Sequence, residues 1–226
     1  MQMQLECSPS YTLAYCYLAL GETVYVESGA MVMMSEGLEV AGGVGPGGIS
    51  SAAVRKIFGG QNFMMGRYSA THQGAWVAAA PPYPGDIASI DLQQETFHVQ
   101  QGSLLAVSEN IDFDVKYAGV RSIVLREGAT MLRLSGTGQI LVSSFGGLQR
   151  FDLGGEDRLT VDTGHLVGLS DTVGLRVEPL SGVKTSVLTG EGLVARLSGP
   201  GTVFVQTRAE QELRSWLAPH RAQRTN

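Results

Sequence analysis

"ETVYVESGAMVMMSEGLEV", Glu22–Val40, has two counterparts later in the chain: "ETFHVQQGSLLAVSENIDFDV" from Glu95 and "DRLTVDTGHLVGLSDTVGLRV" from Asp157. Position for position, Val24 corresponds to Phe97 and Leu159, Val26 to Val99 and Val161, Gly29 to Gly102 and Gly164, and Ser35 to Ser108 and Ser170. Downstream, "VRKIFGGQNFMMGRYSATHQGAWVAAA" from Val54, "VRSIVLREGATMLRLSGTGQILVSS" from Val120 and "VKTSVLTGEGLVARLSGPGTVFVQT" from Val183 continue the pattern. Arg67, Arg133 and Arg196 fall together there, followed by Tyr68, Leu134 and Leu197, and then by Ser69, Ser135 and Ser198. Recurrence of this kind marks copies of one supersecondary unit stacked against each other. Three copies are expected, over about 22–80, 95–144 and 157–207.

Each copy reads as strands. "ETVYV" and "TVFVQT" alternate apolar and polar residues with period two, and glycines interrupt the pattern too often for helices. "SGTGQ" and "SGPGT" read as hairpin turns in which Gly138 and Gly201 supply positive φ, with His72 at that place in the first copy. "PPYPGD", Pro81–Asp86, reads as a turn between the first and second copies. One such unit is too one-sided to bury its apolar face alone. The expected fold is therefore all-β: an antiparallel β-sandwich or prism of three internal repeats around a pseudo-threefold axis, with residues 1–207 as a single β domain. Only the end differs, where "TRAEQELRSWLAPHR" places Leu213, Trp216 and Leu217 at helical spacing, Glu210 four residues before Arg214, and Pro219 as a stop. Residues 208–226 are thus expected to form a C-terminal helix and tail. Leu213, Trp216 and Leu217 would dock on the sheet or on a neighbouring subunit.

Composition agrees with a sheet protein. Of 226 residues 43% are hydrophobic and 16% charged, which excludes a disordered tail-like chain, and thirty glycines point to many tight turns. A core of this size needs no metal or disulfide to hold it. Cys7 and Cys16 are the only cysteines, too few for a secreted disulfide framework. No basic-apolar-small segment opens the chain and no apolar run approaches ~18 residues, so the expectation is a soluble, cytoplasmic protein. The net charge is −5, with +2 after Thr207 and −7 before it, and only three lysines are present. An acidic body repels phosphates, so no nucleic-acid partner is expected.

"EVAGGVGPGGISSAAVRKIFGG", Glu39–Gly60, fits G-x-G-x-x-G at Gly43, Gly45 and Gly48. A dinucleotide cradle needs a parallel strand before it, a crossover helix after it and an acid about twenty residues on. Here a hairpin follows, no acid occurs between Glu39 and Asp86, and Ile49 stands where a phosphate-binding loop has lysine. The stretch is instead an insertion: thirteen residues separate Val40 from Val54, against four and five in the other copies. It reads either as a surface loop or as a contact lip, in which Arg55, Lys56 and Phe58 join the three glycines in meeting a protein partner or a membrane surface.

Catalytic and metal-binding patterns are missing. His72, His98, His165 and His220 are scattered, no G-x-S-x-G elbow occurs, and Asp112 and Asp114 share one strand face, most simply the wet one. Neither a cofactor nor an enzymatic role is expected. The recurring basic positions are more suggestive. Arg67, Arg133 and Arg196 form one set, and Arg55, Arg121 and Lys184 another. Facing a common axis, either set would converge on one anion; projecting outward, each residue would pair with a nearby glutamate.

The glycine-rich insertion with "VRKIFGGQNFMMGRYSA", the "APPYPGDI" turn and the closing "GEGLVARLSGPGTVFVQTR" resemble the altered inheritance of mitochondria protein 24 family, from about Leu13 to Arg208. That resemblance implies a β-fold related to the tryptophan RNA-binding attenuation protein, and a mitochondrial branch linked to inner-membrane organisation. It carries over no catalytic residue, and the chain looks like a prokaryotic member. The functional expectation is a non-enzymatic scaffold or interaction protein acting on a protein partner or at a membrane surface. A homo-oligomer is compatible with the pattern, and the alternative is a module that binds a small molecule or anion.

Overall fold

The computed structural model describes residues 1–42, 64–114, 131–180 and 193–221. The first part of the chain forms β1 (Gln2–Glu6), β2 (Leu13–Leu18), β3 (Thr23–Glu27), β4 (Met31–Met34), β5 (Leu38–Gly42), β6 (Met65–Ala70) and β7 (Ala75–Ala79). The middle forms β8 (Ile87–Gln100), β9 (Leu104–Ser108), β10 (Ile111–Asp114) and β11 (Met131–Ser143). The last part forms β12 (Leu148–Leu153), β13 (Arg158–Asp162), β14 (Leu166–Ser170), β15 (Gly174–Pro179), β16 (Leu193–Ser198) and β17 (Gly201–Gln206), and then the helix α1 (Glu210–Arg221). All ladders between these strands are antiparallel, so the fold is all-β, with one α-helix among the described residues.

The three matching segments pair in matching register. β3, β6 and β5 form one antiparallel triplet, the later half of β8 with the earlier half of β11 and β10 a second, and β13, β16 and β15 a third. Val24 lies opposite Tyr68, Phe97 opposite Leu134 and Leu159 opposite Leu197. On the far side of the same residues stand Val40, Phe113 and Leu175. Val40 therefore corresponds to Phe113 and Leu175, and not to Val115 and Val177, the valines from which the loop lengths of four and five are counted. The ladder keeps a constant spacing from the shared serine, five residues on in all three segments.

Each segment also has a second triplet, which begins ahead of the expected repeat boundary. β2, β7 and β4 pair together, as do the earlier half of β8 with the later half of β11 and β9, and β12 with β17 and β14. Between Met31 and Met33, between Leu104 and Ala106, and between Leu166 and Gly168 the register slips by one residue at the same relative position. A bulge of this kind bends a strand and increases its twist. In the middle segment both triplets run along the same two long strands, and the break between them shrinks to Gln94 at φ 61° and a register shift at Gly136.

Facing sides of the two triplets supply the cores. Ala14, Cys16, Val24, Val77 and Ala79 pack in one cluster, Phe97, Leu132, Ile140 and Val142 in a second, and Leu166, Ala195, Leu197 and Val203 in a third. The clusters reach across segments: Leu105 and Leu141 join the first, while Tyr25, Met65 and Phe204 join the second. Cys16 is buried and its thiol is pushed up to about 12 by burial, whereas Cys7 is exposed.

The segments join edge to edge. β9 lies between β11 and β3, with Val24 opposite Ser108, Tyr25 opposite Val107 and Val26 opposite Ala106. One segment on, β14 lies between β17 and β8, with Phe97 opposite Ser170, His98 opposite Leu169 and Val99 opposite Gly168. Nε2 of His98 donates to Asp171 across this second seam at 2.8 Å. No third seam is made among the described residues: β4 pairs only with β7, and β13 only with β16. The closed prism expected from three copies is therefore not completed by hydrogen bonding.

Connections between segments lie side by side. The Thr12 N–H donates to Gly85 O (3.1 Å), the Gly146 N–H to Pro84 O (2.8 Å) and the Thr207 N–H to Gly147 O (3.0 Å). A Cβ on Gly85 would stand 1.7 Å from the Ser144 carbonyl oxygen, so only glycine fits this crossing. Oδ1 of Asp86 accepts from Ser8 Oγ, Thr12 Oγ1 and the Ile87 N–H, clamping the "PPYPGD" turn.

A shared serine fixes the ends of β4, β9 and β14. Ser35, Ser108 and Ser170 accept through Oγ from the N–H groups of Trp76 (2.9 Å), Gln139 (2.7 Å) and Thr202 (3.0 Å). Gly138, at φ 158°, lets Ser108 approach, since a Cβ there would stand 2.3 Å from its Oγ. Replacing Ser108 by alanine leaves the Gln139 N–H without this acceptor and is expected to cost about 1–3 kcal/mol in urea unfolding. A loss below about 0.5 kcal/mol would show that the serine is not an anchor.

Candidate interaction surface

Strand β4 has the sequence "MVMM", with no charge, glycine or proline to protect it. Met31, Val32, Met33 and Met34 are 41%, 54%, 38% and 43% exposed, and Val40 on neighbouring β5 is 52% exposed. The corresponding residues Leu104 to Val107 and Leu166 to Leu169 are buried to 2% or less where a value applies to a large side chain. The difference lies in the neighbours. β9 and β14 each have a second strand alongside, and among the described residues β4 does not. An exposed, unprotected apolar edge is a template for another strand, because its N–H and C=O groups and its side chains both seek partners. Sequence reading missed this surface, since "MVMM" matches "LLAV" and "LVGL" in pattern and only the neighbours distinguish them.

The expected contact residues Gly43, Gly45, Gly48, Arg55, Lys56 and Phe58 lie outside the described residues, as do Arg121 and Lys184. The insertion leaves from β5, the strand that carries exposed Val40.

The three matched arginines occupy one register position, opposite Tyr25, His98 and Thr160. Arg67 and Arg196 are exposed and Arg133 is half-buried. Each engages a neighbour in its own segment: Arg67 donates to Ser69 Oγ at 3.1 Å, Arg133 to Thr96 Oγ1 at 3.2 Å, and Arg196 pairs with Glu178. Arg176 stands directly opposite Arg196, adding positive charge to that pair. With the guanidinium groups held locally, phosphate or citrate at about 10 mM is expected to leave the melting temperature unchanged. A site with Kd near 1 mM would instead add about 1.4 kcal/mol, a shift of a few degrees.

Within the single chain the three apolar residues of the helix differ in burial. Leu213 is half-buried, whereas Trp216 and Leu217 are 66% and 43% exposed. What fixes α1 is its first turn. Ala209 is buried, the Tyr83 hydroxyl hydrogen-bonds Glu210 and Arg214, Glu210 pairs with Arg214, and Glu212 lies 3.5 Å from His165 Nε2. Burial first, and the Glu210 hydrogen bond next, push the Tyr83 hydroxyl up. Its ring packs on Phe145 with centroids 5.0 Å apart, so the helix is seated on the turns between segments. Pro219 does not stop the helix, which runs to Arg221, because a proline so near the end removes only one late hydrogen bond.

Titratable groups elsewhere serve the scaffold. His165 Nδ1 donates to the Gln206 carbonyl at 2.8 Å, and Asp162 Oδ1 accepts from the Gly164 N–H at 2.8 Å. Among the described residues no group of three or more His, Cys, Asp or Glu is placed to hold a metal, and no helix is long and apolar enough to cross a membrane.

Paired antiparallel triplets joined at their edges, with one apolar edge strand paired on a single side among the described residues, define an all-β protein of edge-linked sheets. The chain belongs to the mitochondrial biogenesis AIM24 family, which matches residues 3–208. An uncharacterized protein of Streptococcus pyogenes serotype M6 is 24% identical over 214 residues, covering 92% of this chain and 86% of that protein. The crystal structure of a Streptococcus pyogenes protein superposes with a TM-score of 0.78 at 22% identity, over 97% of this chain and 99% of that one, and so shares the fold.

Glu27, at the end of β3, is half-buried, and desolvation pushes its carboxyl from the ordinary 4.5 up to about 7. The folded chain thus holds this proton more tightly than the unfolded chain. The resulting stability is complete below about 4.5 and is lost as pH rises through about 7. Glu27→Gln is expected to raise stability by on the order of 2 kcal/mol at pH 8 and to change little at pH 4. Equal effects at both values, read by thermal melting, would refute this assignment.

Proposed function

We propose that the protein is a non-enzymatic scaffold or interaction protein that engages a protein partner through the exposed edge of β4. The observation that carries this reading is the contrast between β4 and its counterparts: the same apolar strand is buried twice and bare once. Supporting it, the polar side chains with defined partners hold turns and seams, as Asp86, His98, His165 and Asp162 do. The family description names a process and not a reaction, which is in keeping with an organising role.

A photo-reactive residue at Val32 is expected to capture a protein in cells, whereas one at exposed Gln149 on β12 is not. Equal yields at the two positions would overturn the reading. Capture at neither, together with co-sedimentation of the pure chain with phosphatidylglycerol vesicles that Val32→Lys abolishes, would assign β4 to a membrane surface.

A further inference from the structure

The two internal seams obey one rule, and that rule can be applied to the two open edges. Along the first seam Val24 meets Ser108, Tyr25 meets Val107 and Val26 meets Ala106. Along the second, the counterparts of those residues, Phe97, His98 and Val99, meet Ser170, Leu169 and Gly168. Carrying the correspondence one step further pairs Leu159 with Ser35, Thr160 with Met34 and Val161 with Met33. These residues belong to β13 and to β4 and its end, and the two strands lie at the outer edges of the ladder.

We propose that β4 of one chain pairs antiparallel with β13 of a second copy, in the register Met33–Val161, Met34–Thr160 and Ser35–Leu159. The proposal rests on the reading of β4 as a contact surface and names its occupant. Three observations specify a second copy. Against β7, β4 has the same bulge that β9 and β14 have against β11 and β17, so its open edge shares the backbone course of the two strands that do form seams. Among the described residues the β13 edge has no ladder partner on that side, and Thr160 is exposed. The register also sets Arg158 opposite Glu36, two exposed residues of opposite charge, and the Arg158 guanidinium donates within its own chain to the carbonyls of Gly155 and Asp157. Such a contact is heterologous, head to tail, so it extends into a ring or a filament and does not end at a dimer.

The full chain with Cys7→Ser is prepared in two forms, one carrying Met34→Cys and the other Thr160→Cys, and the two are mixed under mild oxidation. Residues directly opposite in an antiparallel pair bring Cβ atoms about 4.5–5.5 Å apart, close enough to cross-link. A disulfide-linked pair should form in the mixture, with severalfold lower yield when Val40→Cys replaces Met34→Cys. By light scattering the unmodified chain should show at least twice its 24.0 kDa mass at high concentration. Val32→Lys should return it to the single-chain mass with an unchanged strand signal in circular dichroism, and Glu36→Arg, which need not disturb the fold, should lower the association. Two results would overturn the proposal: a single-chain mass at every concentration with no cross-link in the mixture, or a double-cysteine chain that closes on itself as a fast-migrating monomer. If either occurs while Val32 still captures another protein in cells, self-pairing fails and the contact-surface reading stands. Failure of both removes β4 from the function altogether.

Discussion

Everything in this fold depends on strands that serve two neighbours at once. β9 and β14 each close the triplet of their own segment on one side and bind the preceding segment on the other. Satisfying both edges of such a strand removes its N–H and C=O groups from water together with its apolar side chains, and this explains why Leu104 to Val107 are fully buried. The cores follow from this sharing. Leu105 and Leu141 pack in the first cluster because the seam carries them there, and Tyr25, Met65 and Phe204 enter the second in the same way, whereas the buried residues of the third cluster come from its own segment.

How much of this was legible in the sequence depended on whether the signal was local. Alternation and the Ser35, Ser108 and Ser170 correspondence are short-range, and the three serines accept from equivalent backbone groups. The glycines were placed correctly at positive φ but not in hairpins: Gly138 lies inside the continuous β11, and Gly201 follows a corner between β16 and β17, which pair with other strands. The strands ahead of Glu22, Glu95 and Asp157 were harder to see, because β2, β12 and the start of β8 share a role but little sequence. The long strands of the middle segment also hid a boundary that the outer two mark with turns.

The contact surface was less legible still, because exposure is not a property of a segment. "MVMM" has the pattern of a core strand, and only its missing neighbour makes it a surface. Likewise, helical spacing correctly placed Leu213, Trp216 and Leu217 on one helix but could not say that polar contacts of Tyr83 and His165 would seat it. The matched arginines sit at a shared register, as their spacing implied, while their partners differ with the surrounding strands.

The middle segment differs from its neighbours in one mechanical respect. β8 and β11 pass through both triplets almost without interruption, whereas the outer segments turn between them. Tension along these two strands loads many transverse hydrogen bonds in shear, while the flanking segments can yield at their corners. The centre of the molecule thus acts as a stiff beam, and compliance is concentrated towards the two ends.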